Sequence, residues 1–438
     1  QHDNSCYAER ENNKKNKKVS PIELLLLGSL RYLGRGWTFD DMRDVTYISR
    51  DVHRKFFHQF VTFGATVLYP TYVSVPQTVE ELQDCEHEYS IAGFPGCIGS
   101  TDATHIPLEK VCVSLRQAHL GFKSKSTMRT YNLTCNHRRK ILHTTSGHPG
   151  RWNDKTLVRF DSFMSILRDG AFDDKMEFEL KTRQGMQCDD EQVMGEDTRT
   201  LKHKGAYVIV DNGYLEWSTT VPPLKSSCNC SELRFSQWLE SMRKDVECTF
   251  GILKGHWRIL KTGIRLHNTE VSDNIWLTCC ALHNMLLDVD GLSKAWKNGA
   301  RSHWELESGE FQDEEIPFAI RRLIDPLGTD DFRLHHYDAS QFGYRRPPAP
   351  VEVSDHEDDD DDQDDDRNRD RNENCDTTAG QCIQVQLGQI QSGTAVSELN
   401  LFQFRSLLIE NFNARFHENT LKWPKRLARD LPRNVPTN

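Results

Sequence analysis

The sequence has no apolar run approaching the length of a bilayer core, and its first residues lack the apolar stretch of a secretory signal. Those absences count against an anchored or exported chain and lead to the expectation of a soluble intracellular protein. Metal-finger spacing is missing as well. Thirteen cysteines occur without a repeated Cys-x-x-Cys pattern, the nearest pairs being Cys228-x-Cys230 and Cys279-Cys280. Reduced, mostly buried thiols in cytosol or nucleus are expected in place of zinc or disulfides. An excess of cations is also lacking, because the net charge is -10. Evenly spread, that charge would argue against a polyanionic partner, yet residues 352–371 alone hold twelve carboxylates and three arginines. The remainder is close to neutral, and its cations are free to cluster.

What is present is length. The 438 residues, 37% of them hydrophobic, can bury two or three units around substantial cores. The mean hydropathy of -0.66 sits at the polar end of globular chains. The chain begins with Gln1 and not Met, which leaves room for an upstream segment.

Residues 1–19 read as a polar tail carrying Lys14, Lys15, Lys17 and Lys18. Ser20-Pro21-Ile22-Glu23 has the form of a capping box before Leu24–Leu33, Thr38 opens a second helix, and Ser49 can cap a third. The third is expected to turn Val52, Phe56, Phe57 and Phe60 inward and to display Arg50, His53, Arg54 and Lys55. Residues 20–65 thus read as a bundle of helix-turn-helix type, with those cations as DNA contacts. Residues 66–92 look like a linker helix and loop.

From residue 93 strand signals take over. Residues 97–106 read as a strand, and 127–135 with 140–145 as a hairpin about Asn136-His137-Arg138-Arg139. A Gly/Pro-rich loop, residues 147–154, leads to a helix over 155–167, and the charged stretch 169–204 reads as an insertion or mobile loop. Tyr207-Val208-Ile209-Val210 is apolar on both faces, as in a central strand. A long helix from Ser231 buries Leu239, Met242, Val246, Phe250, Leu253 and Trp257, with Glu247 at the edge of that stripe and Lys244 and Lys254 on its side. Another covers 271–287. This order predicts an α/β layer, a mixed sheet flanked by helices, over residues 93–288. Residues 289–350 read as an irregular extension, and 351–380 as an acidic linker too polar to fold. The region 381–438 carries an amphipathic helix over 399–423, able to dock on the body or to face a partner.

The chemistry sits at strand ends. Asp102 closes one strand, Asp211 another, and Glu247 lies on the helix that follows, 35 residues separating the last two. Three carboxylates converging on a sheet edge suit Mg²⁺ or Mn²⁺, and a two-metal site can activate a hydroxyl and stabilise the leaving oxygen in phosphoryl transfer. Asp154 is a competing acid, read as a helix cap or an outer residue, with membership of the metal site as the alternative. His105 reads as structural, or as a contact to substrate or to Asp102. Lys123, Lys125, Arg129, Arg138, Arg139, Lys140 and Arg151 surround the hairpin and the next loop and are candidates for phosphate contacts.

Several of these segments resemble a known family together. Gly99-x-x-Asp102-Ala103-Thr104-His105-Ile106, Val210-Asp211-Asn212-Gly213-Tyr214, Val246-Glu247-x-x-Phe250-Gly251-x-x-Lys254-x-x-x-Arg258 and Leu282-His283-Asn284-Met285 resemble the core of PIF/Harbinger transposases. The resemblance covers residues 93–288, and the N-terminal bundle is similar to that family's helix-turn-helix region. Ala103, Asn212 and Cys248 depart from the usual Gly, Ser and Arg, but no carboxylate is lost. The resemblance implies an RNase H-like fold and a DDE metal site of Asp102, Asp211 and Glu247. It also implies cut-and-paste transposition in the nucleus, by an oligomer on DNA, with a Myb-like accessory protein. A host-adopted, catalytically silent derivative is the alternative. Arg138, Arg139, Lys254 and Arg258 are the expected DNA contacts of this core.

Overall fold

The computed structural model describes residues 20–121, 126–183, 198–224, 229–290 and 390–422. The basic tail, the acidic linker, most of the irregular extension, and Lys123 and Lys125 lie outside them.

Three helices form the N-terminal part: α1 (Ile22–Arg35), α2 (Phe39–Thr46) and α3 (Arg50–Phe63). Thr38 closes a capping box with Asp41, and the Ser49 hydroxyl accepts from Val52 N–H, as the sequence led one to expect. The N-cap of α1 is Pro21 and not Ser20, and it carries no side-chain cap. The inward stripe of α3 is also shifted. His53, Phe57, Phe60 and Val61 are buried, while Val52 faces solvent. His53 sits against Gly28, where any Cβ would stand 2.8 Å from its ring, and its Nε2 meets the Thr46 hydroxyl at 2.7 Å. His53 is therefore a packing residue, which corrects its assignment to a DNA-facing surface.

The α3 helix runs on through a wide turn at Gly64–Leu68 into Tyr69–Tyr72. The expected linker then contains a well-capped helix, α4 (Val79–Ile91), whose Leu82, Cys85 and Tyr89 are buried and which packs on the first strand.

Strands β1 (Cys97–Pro107), β2 (Met128–Cys135) and β3 (Ile141–Thr144) form an antiparallel meander with β2 in the middle. The short β4 (His148–Pro149) pairs with β2. Strands β7 (Tyr207–Ile209) and β8 (Thr220–Val221) continue the sheet parallel to β1, giving the order β3-β2-β1-β7-β8. Between them lie α5 (Asp154–Leu157), α6 (Ser162–Arg168) and the hairpin β5 (Glu177–Arg183) with β6 (Thr198–Lys204). The stretch expected to be patternless is thus a paired hairpin in its described parts. Phe178, Leu180, Leu201 and His203 alternate with charges and form its buried face.

Helices α7 (Cys230–His256) and α8 (Thr269–Val289) cover the sheet. Leu239, Met242, Val246 and Leu253 of α7 are fully buried. The bundle and the sheet share one core, in which Phe57 and Leu33 join Tyr131, Leu133 and Trp276. The last helix, α9 (Leu401–His417), docks on the body: Phe404 meets Tyr207 and Phe178, and Phe412 meets Phe94, Phe235 and Trp238.

The Leu-His-Asn segment of α8 seals the sheet edge at β3. Asn284 Oδ1 accepts from Ile141 N–H at 2.9 Å, and its Nδ2 donates to the carbonyls of Ile141 and Tyr72 at 2.8 Å each. His283 Nε2 stands 2.9 Å from the Arg139 carbonyl, and burial pushes this imidazole down to about 4. An unfolded histidine titrates near 6.5, so the unfolded state binds the extra proton between those values and stability rises with pH across that window. Acidification from pH 7 to 4 is expected to cost about 3 kcal/mol through this one residue. Urea denaturation at both pH values checks it: His283→Gln removes that share of the acid sensitivity, and an unchanged pH slope contradicts it.

Candidate active site

In the parallel pairing of β1 with β7, Ser100 lies opposite Ile209. Asp102 and Asp211 each stand two positions further on, so Asp102, midway along β1, lies level with Asp211, just past the end of β7. The Asp211 carbonyl accepts from Tyr214 N–H at 3.1 Å, folding the chain into a turn just beyond β7. Asp154, first residue of α5, reaches into this turn. A Cβ on Gly213 would stand 2.7 Å from Asp154 Oδ2, so glycine is what permits the approach. Burial pushes the Asp102 carboxyl up to about 6; Asp154 and Asp211 add to the rise, while Ala103 N–H and the Arg243 guanidinium oppose it. Asp154 and Asp211 are therefore each close enough to repel Asp102. Asp154 belongs to the same cluster and is more than a distant cap.

Glu247 approaches from α7, with its side chain about half exposed. The residue that reaches it is Arg243, one turn earlier, and not Lys244, which faces solvent. The Arg243 guanidinium stands 2.9 Å from Glu247 Oε1, 3.3 Å from Glu240 Oε2 and 3.4 Å from Asp102 Oδ2, with 11% of its side chain exposed. It ties the helix acids to the strand acid.

Beneath the cluster runs a buried polar chain. Tyr214 donates its hydroxyl to Asn132 Oδ1 at 2.6 Å, and Asn132 Nδ2 donates to Asp161 Oδ2 at 2.6 Å. Asp161 Oδ1 accepts from the N–H groups of Phe163 and Met164 and faces His143 Nε2 at 3.3 Å. Burial works against ionisation of Asp161, yet His143, Asn132 and the helix N–H groups hold its carboxyl below the usual range. These groups fix the Tyr214 turn and with it Asp211.

The expected cationic contacts divide in two. Lys254 shares the face of α7 used by Arg243 and Glu247, and its ammonium donates to the Thr104 hydroxyl at 2.9 Å. Thr104 lies two residues from Asp102 on the same face of β1. Arg258 is exposed just past the end of α7, and Arg50, Arg54 and Lys55 are exposed on α3. Arg50 and Arg54 pair loosely with Asp40 and Asp51 at 3.7 and 3.4 Å. Arg138 is not a surface cation: it is 4% exposed and locked to Glu88 at 2.8 Å and Asp84 at 2.7 Å. That corrects its assignment to DNA. Arg139 leans toward buried Asp245 at 3.8 Å, and His137 pairs with the same carboxylate at 2.5 Å. Arg129 is bound on two sides by Asp273. His105 Nδ1 meets Thr130 Oγ1 at 2.8 Å, in keeping with a structural role.

The donor set suits a hard divalent cation, since it is made of carboxylate oxygens gathered at a sheet edge. Among the described residues no three acidic, histidine or cysteine side chains stand close enough to hold a metal ion as they lie. Arg243 supplies the positive charge between the acids in this state.

The stretch that holds the mixed sheet and these acids is matched by a family model. Residues 101–284 match the model of the DDE superfamily endonuclease family. The motifs described above, which resemble those of the Harbinger type, fall within or beside this match. An Arabidopsis thaliana protein named "Antagonist of Like Heterochromatin Protein 1" is 25% identical over 216 residues, 48% of this chain and 48% of that protein. The Bos taurus protein named "Putative nuclease HARBI1" is 22% identical over 222 residues, 50% of this chain and 54% of that one. The chain spans about half the length of the curated relatives it matches. No solved structure matches it. Among the described residues no helix is long and apolar enough to cross a membrane.

Proposed function

We propose that the chain is a metal-dependent DNA endonuclease of transposase origin, built on an RNase H-like sheet, with Asp102, Asp211 and Glu247 as its metal-holding acids. The observation that supports this reading is that Asp102, midway along β1, lies level with Asp211, just past the end of the parallel β7, in the segment that matches a DDE endonuclease model. Bound there, Mg²⁺ or Mn²⁺ supplies Lewis-acid activation of a water or 3′-hydroxyl and offsets charge on the leaving oxygen. Asp154 adds a fourth carboxylate beside Asp211. The chain Tyr214–Asn132–Asp161 keeps the Asp211 turn fixed, so that the carboxylate does not have to be ordered at each turnover. Lys254 and Arg258 hold substrate phosphates along α7, and Arg50, Arg54 and Lys55 extend the track if the N-terminal bundle docks as a helix-turn-helix. Cut-and-paste transposition, assembly of copies on DNA, a Myb-like accessory protein and nuclear action accompany this reading.

A second reading, a derivative that binds DNA or proteins without cutting, draws on the Arabidopsis relative, whose name describes antagonism of a heterochromatin protein and not cleavage. Duplex DNA bearing the inverted ends that flank the coding gene separates the two. The endonuclease reading expects strand breaks at those ends in Mg²⁺ and none in EDTA, whereas binding without breaks in either condition supports the second.

A further inference from the structure

We propose that Arg243 is a resident counter-cation, which holds Asp102 and Glu247 in the metal-free protein and has to release them before a divalent cation binds. The inference rests on the metal-dependent reading above. Its basis is the position of one guanidinium between a strand acid and two acids of its own helix. Arg243 spans Glu247, Glu240 and Asp102 while almost fully withdrawn from solvent. A guanidinium and a divalent cation cannot share the same carboxylate oxygens: both are positive, and Arg243 occupies the direction from which Asp102 and Glu247 would be approached together.

Removing the arginine to water unpaired would be costly, but α7 provides a second berth. Glu240 lies one turn before Arg243, is more exposed than it, and already faces its Nε at 3.4 Å and its Nη2 at 3.3 Å. A swing of the side chain toward the helix N-terminus keeps that ion pair while freeing Asp102 and Glu247. Metal binding is then an exchange of cations and not the filling of an open cage. The acids are held apart from coordination distance because a larger, planar cation lies between them.

Calorimetric titration of the full chain with Mn²⁺, in the absence of DNA, tests this with four proteins. Arg243→Gln, which removes the competing charge, is expected to bind Mn²⁺ about tenfold or more tightly than wild type. Glu240→Gln, which removes the second berth, is expected to bind several-fold more weakly, and it keeps the test open should Arg243→Gln fail to fold. Asp102→Asn is the control for the site itself. If wild type binds Mn²⁺ and Asp102→Asn does not, yet affinity is unmoved in Arg243→Gln and Glu240→Gln, the exchange is wrong and the metal site stands. If Mn²⁺ binds none of the four, the metal-dependent reading falls and takes the exchange with it.

Discussion

Asp102→Asn is expected to abolish DNA cleavage and at the same time to raise the stability of the protein. Burial and the neighbouring Asp154 and Asp211 make the ionised Asp102 carboxylate unfavourable in the folded chain, and the Arg243 ion pair only partly offsets this. A carboxyl raised from 3.8 to about 6 costs about 3 kcal/mol of folding stability at pH above 6, because the unfolded chain ionises it freely. An amide of nearly the same shape removes that charge and can still accept from Ala103 N–H, which lies 2.8 Å from Oδ1. The rise to about 6 already includes the opposing Arg243 contact, so a net stabilisation of up to about 3 kcal/mol is expected. Cleavage should fall on the order of 10² to 10³-fold or more, as when a preorganised charge-stabilising group is removed. Parallel thermal melts and rate measurements give both numbers. A variant that cuts normally, or one that loses activity by melting early, contradicts this view of the cluster.

Arg138→Met is expected to destabilise the fold by about 3–5 kcal/mol, because it leaves Glu88 buried and unpaired beneath the hairpin turn. Glu88 is 1% exposed, so water cannot replace the lost guanidinium. Replacing both partners, Arg138→Met with Glu88→Leu, should recover most of the loss, since two apolar groups leave no stranded charge. Urea denaturation of the two single variants and the double variant measures the coupling. Additive losses would mean that the pair does not act as a unit. The same proteins separate a structural Arg138 from a DNA-binding one: the folded double variant should keep wild-type affinity for duplex DNA.

The turn Asn136-His137-Arg138-Arg139-Lys140 shows where sequence reading reaches its limit. A run of cations in a hairpin turn has the local form of a phosphate clamp, but Asp84, Glu88 and Asp245, which neutralise it, come from α4 and α7 and are invisible to any local window. Arg243 was hidden in the same way. Its i, i+4 relation to Glu247 was available from spacing, whereas its contact with Asp102 joins residues 141 positions apart. His53 was misplaced because the α3 stripe runs one residue later than its aromatic residues suggest, and only Gly28 of α1 makes room for the ring. Features carried by local periodicity were readable: β1, the β2–β3 hairpin, the apolar β7 and the stripe of α7 lie where alternation and helical spacing put them. The β5–β6 hairpin obeys the same alternation, but its charges obscured the inward Phe178 and Leu180. Asp211 was legible as a strand-end acid, whereas β1 runs on five residues past Asp102, and the parallel register of β1 and β7 is what brings the two side by side. Asp154 was harder to judge, because its proximity depends on the absent side chain of Gly213.

Single-turnover cleavage of a duplex bearing the element's inverted ends, in Mg²⁺, by wild type beside Asp211→Asn and Glu247→Gln, tests the central claim most directly. Wild type is expected to make Mg²⁺-dependent breaks at the ends and each variant to lose at least about a hundredfold, with all three proteins equally folded. Equal cleavage by wild type and the two variants would contradict it.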